Sequence, residues 1–145
     1  MPVHVELVSP ERIAYSGDAK MVIARTVTGD IAFLAGHVPF IGVLQTWPVR
    51  VLQEDGTEQV IAVHQGFVEV SPPDADGTTR VTILSDVAEL AETIDVDRAK
   101  AARERAMHEL AGEPDDEAAA AALARAEVRL EVAGAPKSGT THGDH

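Results

Sequence analysis

Up to about Leu84 the chain consists of short runs rich in Val, Ile and Leu, separated by turn residues. The first run, Val3 to Leu7, alternates polar and apolar residues with the period of two that a half-buried strand requires. Residues 50–53 and 59–63 flank Glu54-Asp55-Gly56-Thr57, and Asp-Gly accepts the positive φ of a tight hairpin turn. This pattern predicts a β-hairpin.

A second pair of strands is predicted at residues 67–70 and 80–84. They are joined by a polar segment, Ser71 to Thr78, whose prolines and glycine cannot continue a ladder. Hairpins in series are typical of an antiparallel β-sandwich, which we assign to residues 1–86.

After Asp86 the sequence becomes rich in alanine and charged residues, which favours helix. Asp95 is the predicted N-cap of a first helix that ends at Gly112 and Pro114, and Asp115 or Asp116 restarts the chain as a second helix. We therefore predict an antiparallel α-helical hairpin at residues 87–133. The remaining segment, 134–145, has no periodicity and is expected to be disordered.

The apolar positions of the two helices form narrow seams of mainly alanine: Ala99, Ala102, Ala106 and Leu110, then Ala119, Leu123, Ala126, Leu130 and Ala133. Such seams allow two helices to approach closely, but they bury little apolar area. The hairpin is therefore expected to be weakly anchored and mobile.

The 145 residues are 45% hydrophobic and carry a formal net charge of −12, which indicates a folded acidic protein and makes nucleic acid an improbable partner. There is no cysteine for a disulfide or thiolate metal site. No run approaches the roughly 20 apolar residues of a spanning helix, so no direct membrane insertion is expected.

The histidines and serines predict neither a metal site nor a catalytic centre. His4, His64, His108, His142 and His145 are scattered without zinc-ligand spacing, and no serine has a nucleophile-elbow context. His37, between Gly36 and Val38-Pro39, is either an interface residue or a loop histidine bonded to nearby backbone.

Four arginines of the predicted helices could act together. Seven-residue spacing puts Arg98 and Arg105 on one face of the first helix, and four-residue spacing does the same for Arg125 and Arg129 on the second. In a folded hairpin they could converge on phosphate, which guanidinium groups bind bidentately. Alternatively, each pairs with a neighbouring carboxylate on a solvated face.

Several segments together resemble the epsilon subunits of bacterial F-type ATP synthases. They are Leu7-Val8-Ser9-Pro10-Glu11, Ser16-Gly17, the block from Gly29-Asp30-Ile31 to Gly36-His37-Val38-Pro39, Gly66 to Val70, Leu84 to Glu89, and Ile94 to Ala99. The resemblance covers roughly residues 3–133. The chain departs from the family pattern at Asp30 for Glu, Ala32 for Gly, Ala35 for Pro, and Gln65 for the first of two glycines.

The resemblance implies a non-catalytic rotor subunit at the foot of the central stalk, with catalysis on the beta subunits. The sandwich would bind gamma and the c-ring, with Asp30 and His37 at the rotor interface. The hairpin would either fold against the sandwich or extend toward the catalytic alpha/beta head and impede ATP hydrolysis. The chain would then lie peripherally on the cytoplasmic face of the cell membrane.

The resemblance also implies a regulatory ATP site. Ile94-Asp95-x-x-Arg98-Ala99 matches the family's nucleotide-binding consensus, and Glu89 falls where an adenine-contacting acid is expected. Arg105, Arg125 and Arg129 match phosphate-contacting positions. The same consensus occurs in family members with negligible ATP affinity. The alternative that the chain binds no cofactor therefore remains open.

The alternative function is a free-standing small-molecule-binding β-sandwich module with an accessory hairpin. Recovery with alpha, beta and gamma from solubilised membranes would separate the two hypotheses.

Overall fold

The computed structural model describes residues 3–134 of the chain. The expected disorder of the tail therefore concerns residues that lie, apart from Gly134, outside the described part. The strands are β1 (Val3–Ser9), β2 (Arg12–Ala19), β3 (Met21–Thr26), β4 (Gly29–Leu34), β5 (Phe40–Leu44), β6 (Trp47–Leu52), β7 (Glu58–Val63), β8 (Gly66–Val70), β9 (Thr79–Leu84) and β10 (Ala88–Leu90). The helices are α1 (Val96–Gly112) and α2 (Glu117–Ala133), preceded by a 3₁₀ turn at Ala91–Thr93.

The strands follow the order β10-β7-β6-β3-β5-β8-β9-β1-β2, with β4 pairing with β3. All pairs are antiparallel except β1 and β9, which run parallel from Val3 opposite Thr79 to Val8 opposite Leu84. The predicted fold class, an antiparallel β-sandwich followed by a helical hairpin, is confirmed. The parallel pair was not predicted.

The sandwich closes over a mainly aliphatic core. The alternation read from the first strand is confirmed, because Val3, Val5 and Leu7 are fully buried while the residues between them are partly exposed. Phe33 is the largest fully buried side chain. The core residues come from the strands alone, which indicates that the sandwich holds together through its own side chains.

The predicted turn between residues 50–53 and 59–63 is confirmed as the connection of β6 to β7. Gly56 has a φ of 89°, and the Thr57 amide donates a 2.9 Å hydrogen bond to the Asp55 carboxylate. The side chain of Asp55 thus satisfies backbone that the tight turn leaves unpaired.

The turn between β7 and β8 places special demands on two residues. Gly66 has a φ of 151°, and a Cβ atom there would collide with the carbonyl oxygen of Leu84. Gln65, where the resemblance predicts glycine, adopts a φ of 64°. A side chain in this left-handed region costs about 1 kcal/mol or more, so Gln65 carries strain that glycine would not.

Both helices begin at the predicted type of cap. The Asp95 carboxylate accepts from the Arg98 amide at 3.1 Å, and the Asp116 carboxylate accepts from the Ala119 amide at 3.0 Å. These bonds satisfy amides that have no partner inside the helix. The first helix ends at Gly112, as predicted.

The two helices pack along the alanine seam. Ala99 and Ala106 of α1 and Ala119 and Ala126 of α2 are all 3% exposed or less. The apolar positions spaced by three and four residues therefore define the face on which each helix meets the other, which confirms the predicted hairpin.

The opposite side of α2 contacts the sandwich. Val128 and Val132 pack against Val60 and Ala62 of β7, with Ala91 and Ile94 beside them. We call these six residues the docking cluster. Because α2 lies between α1 and the sheet, the hairpin is in its folded position against the sandwich.

The independence of the sandwich remains a prediction, and the structure refines where to test it. Strand β10 begins after Asp86 and pairs with β7, with Ala88 opposite Val63. A chain ended after Ala91 therefore keeps every strand, and we expect it to retain a β-sheet circular dichroism spectrum and cooperative thermal unfolding. An unfolded fragment would show that the sandwich requires the helices.

Candidate functional site

A row of apolar side chains crosses five strands on one outer face of the sandwich. The backbone register aligns neighbouring strands so that these residues lie side by side: Val43 of β5, Phe67 of β8, Leu84 of β9, Val8 of β1 and Ile13 of β2. Phe67 is 54% exposed, and Ile13 is 58% exposed. We call this row the apolar stripe. A row of apolar side chains of which four are exposed and one is half-buried is typical of a binding surface.

A groove of about 1220 Å³ separates part of this stripe from the first half of α2. Ala121, Ala124 and Arg125 form its helical wall, and Trp47 and His64 line it from the sandwich. The floor is therefore apolar, while a guanidinium group and an imidazole ring provide polar contacts at its sides.

Asp30 lies in strand β4, which pairs with β3, rather than in a loop. Its carboxylate accepts from Arg25 Nε at 2.7 Å, directly across β3 and β4. This hydrogen bond, followed by charge attraction, keeps the pKa of Asp30 below its usual value. The Arg25 guanidinium also stacks over the Trp47 ring at 3.7 Å.

His37 lies beyond β4, in the loop that leads to β5. Its Nδ1 is 2.8 Å from the carbonyl oxygen of Val38, and its ring stands edge-on to Phe33 with centroids 5.0 Å apart. Nearby Val38 is 69% exposed. His37 thus has the backbone contact of a loop histidine while lying next to an exposed apolar side chain.

The structure brings together two of the predicted nucleotide contacts, Glu89 and Arg129. Arg129 Nε lies 2.8 Å from Glu89 Oε1, and His64 Nε2 lies 2.8 Å from the same oxygen. The side chain of His64 is only 4% exposed, whereas those of Glu89 and Arg129 are about one quarter exposed. A carboxylate on β10 thereby joins the sandwich to α2.

Three other consensus residues have structural partners. Ile94 packs in the docking cluster, Asp95 caps α1, and Ala99 is buried in the alanine seam. Each of these residue types is therefore accounted for by packing or capping. Neither role conflicts with a ligand on the neighbouring surface.

The remaining predicted residues, Arg98, Arg105 and Arg125, are exposed. Within residues 3–134, none of the three makes a salt bridge. The helical period and the antiparallel packing place them on the same side of the hairpin as Arg129. This side combines four guanidinium groups, of which one is already paired with Glu89.

Sequence reasoning missed the partners that fix Glu89 and α2. His64 gave no signal, because its closeness to Glu89 depends on the pairing of β10 with β7. Val128 and Val132 did give a signal. Valines four residues apart lie on the side of α2 opposite Ala119 and Ala126, which indicates a second apolar side of this helix. Within residues 3–134, no three His, Asp or Glu side chains are grouped so that they could hold a metal ion.

The His64–Glu89–Arg129 contacts predict a pH dependence of hairpin docking. Hydrogen bonding from His64 first, and then from Arg129, lowers the pKa of Glu89 from its ordinary 4.5 despite partial burial. A carboxyl group with a lowered pKa stabilises the folded state above the ordinary value and loses that contribution as pH falls through the lowered one. We expect α2 amides to lose hydrogen-exchange protection below about pH 4.5 in the wild type, but much less in Glu89→Gln.

Two family models match consecutive parts of the chain. The model of the ATP synthase delta/epsilon chain beta-sandwich domain matches residues 2–91, and that of the delta/epsilon chain long alpha-helix domain matches residues 92–134. The chain belongs to the ATP synthase delta/epsilon chain family.

The curated relatives of the chain include bacterial ATP synthase epsilon chains. The epsilon chain of Streptomyces griseus subsp. griseus is 41% identical over 128 residues, which cover 88% of this chain and 92% of the relative. That of Brevibacillus brevis is 50% identical over 102 residues, covering 70% and 73%. The resemblance to epsilon subunits stated from the sequence is thereby confirmed.

A solved structure supports the fold. A chain in the cryo-EM structure of Euglena gracilis mitochondrial ATP synthase, OSCP/F1/c-ring in rotational state 1, superposes with a TM-score of 0.66 at 23% identity. The match covers 90% of this chain and 76% of that one. Neither α1 nor α2 is both long and apolar enough to cross a membrane.

Proposed function

We propose that this chain is a non-catalytic rotor subunit of the central stalk, which couples the c-ring to the catalytic head and restrains ATP hydrolysis. The apolar stripe is the observation that carries the proposal. Four of its five aligned apolar side chains are exposed, and burying them against a partner is favourable at about 25 cal/mol per Å².

The gamma subunit is the proposed partner of this stripe. The c-ring is the proposed partner of the loop after β4. Leu34 and Val38 are 51% and 69% exposed around His37 and give the loop an apolar tip. Asp30 and Arg25 offer a fixed ion pair on the same strand pair. Two separate contact regions suit a subunit placed between a stalk and a ring.

The hairpin is the proposed regulatory element. Its attachment to the sandwich includes the docking cluster and the Glu89–Arg129 contact, whereas the two helices meet along the buried alanine seam. The weakest boundary therefore lies between α2 and the sheet. Release there would let both helices extend together toward the alpha/beta head and hinder catalysis on the beta subunits, at the cytoplasmic face of the membrane.

ATP is the proposed ligand of the arginine-bearing side of the folded hairpin. Arg98, Arg105 and Arg125 would bind the phosphates, with Arg129 close by and Glu89 beside the base. Guanidinium groups are suited to phosphate because they form paired, charge-assisted hydrogen bonds. A ligand that requires both helices side by side favours the compact state, since binding stabilises the conformation that binds.

Calorimetry on the full chain tests the nucleotide site. Wild type should release or absorb heat with millimolar ATP, and Arg98→Ala should weaken the affinity about tenfold by removing a charge-assisted contact. Lys100→Ala is the matched control, because Lys100 is exposed on nearly the opposite side of α1. Equal binding by both variants, or no heat with wild type, would exclude the site.

Recovery of the complex tests the rotor assignment separately from ATP. We expect the tagged chain to be recovered with alpha, beta and gamma from detergent-solubilised membranes. A free-standing module would remain in the soluble fraction without them.

A further inference from the structure

A few apolar side chains and one charged contact hold α2 against the sandwich, so we expect each of them to have a large share in docking. Val128 and Val132 supply the apolar part by covering Ala62, which is fully buried, and Val60, which is 8% exposed. Two valines facing β7 bury far less surface than a long amphipathic helix does. The polar contact beside them therefore matters more than a surface ion pair would.

That contact has an unusual arrangement, because one oxygen atom receives both bonds. Glu89 Oε1 lies 2.8 Å from Arg129 Nε on α2 and 2.8 Å from His64 Nε2 at the end of β7. The backbone amide of His64 also donates to the carbonyl oxygen of Val87, which ties the histidine to the segment leading into β10. The imidazole thus lies on the sandwich side of the carboxylate, while the guanidinium lies on the helix side.

The surroundings of His64 indicate what its side chain does. Within the described residues, its Nδ1 is buried and has no hydrogen-bond partner. In the neutral tautomer with a proton on Nε2, the ring can donate to Glu89 while Nδ1 stays unprotonated.

We propose that His64, Glu89 and Arg129 form a latch that holds α2 on the sandwich without nucleotide, and that His64 is a positioning residue that fixes the Glu89 carboxylate for Arg129. The latch extends the proposed switching of the hairpin. It is tested on the isolated chain without ATP or partner subunits, so its failure is distinguishable from that of the proposed function.

The absence of cysteine from the sequence provides a specific probe. Ala62→Cys introduces a single small thiol beneath Val128 and Val132, where it reacts with a thiol reagent only when α2 lifts or the protein unfolds. A second background, Ala24→Cys, places the thiol in the sandwich core, away from the docking cluster. Its labelling rate reports global unfolding alone.

In the Ala62→Cys background, Arg129→Met and Glu89→Gln should each raise the labelling rate about tenfold, the effect of losing one charge-assisted hydrogen bond. The rate in the Ala24→Cys background should stay unchanged. Arg80→Met is the matched control. Arg80 lies on strand β9, outside the docking cluster, and the substitution removes its 2.9 Å ion pair with Asp74. Unchanged labelling of the Ala62→Cys thiol in both latch variants would overturn the proposal.

The positioning role of His64 is tested by a double-mutant cycle in the same Ala62→Cys background. His64→Leu should raise the labelling rate when the rest of the latch is intact but add little when combined with Arg129→Met. His64→Gln keeps an amide donor and should restore most of the protection. If His64→Leu has the same effect with and without Arg129, the histidine merely fills space, and its assigned role is wrong.

Discussion

Phe67→Asp should abolish binding of the chain to the gamma subunit while leaving the sandwich folded. Phe67 lies within the apolar stripe, between Val43 and Leu84, and its side chain points outward from β8. A carboxylate buried in an apolar interface without a partner costs roughly 3 kcal/mol or more, about a hundredfold in affinity. Pull-down of purified gamma by the tagged variant measures the loss.

Met107→Asp is the matched control for this substitution. Met107 is 53% exposed on α1, nearly the same as Phe67, but it lies outside the stripe. The Met107→Asp variant should bind gamma as the wild type does. Normal binding by Phe67→Asp would show that gamma contacts another face, and a changed circular dichroism spectrum would trace the loss to misfolding.

Ending the chain after Gly112 should raise ATP hydrolysis by the reconstituted complex severalfold, with a smaller effect on ATP synthesis. Without α2, α1 loses the partner of its alanine seam, and nothing remains that could extend as a rigid pair toward the catalytic head. The sandwich and its apolar stripe stay intact, so the shortened chain should still assemble. Rates of hydrolysis and synthesis measured on the same preparation test both parts.

A chain ended after Gly134 serves as the control, because it retains both complete helices. Its hydrolysis rate should equal that of the full chain. If the shorter truncation leaves hydrolysis unchanged, the hairpin does not restrain it. If the control raises hydrolysis as much as the shorter truncation does, the restraint comes from residues 135–145 instead.

Local patterns in the sequence sufficed for the parts of the fold that neighbouring residues determine. The Asp55-Gly56 turn, the cap at Asp95 and the alanine seam each depend on a few adjacent positions. The parallel pairing of β1 with β9 could not be predicted in this way, because strand alternation shows which face is buried but not which strand lies alongside. Strand β10 was missed because three residues are too few for a period.

The sequence could predict which residues belong to the candidate site, but not how they contact one another. Matching the consensus pointed to Glu89 and Arg129, and the structure brings these two into contact. It could not show that they bond to each other, because that contact depends on how α2 lies on β7. His64 was missed for the same reason, since its role depends on a carboxylate that is distant in sequence and adjacent across the sheet.

The parallel placement of β1 beside β9 has a consequence for biosynthesis. The ribosome releases β1 early, but its partner from Thr79 to Leu84 emerges only after most of the sandwich has been made. Until then β1 has β2 on one side and an unpaired edge on the other, next to apolar side chains that have no core to enter. Long-range pairing of this kind is slow and leaves intermediates prone to aggregation. The first hairpin of the nascent chain therefore keeps one edge unpaired until Leu84 has left the exit tunnel.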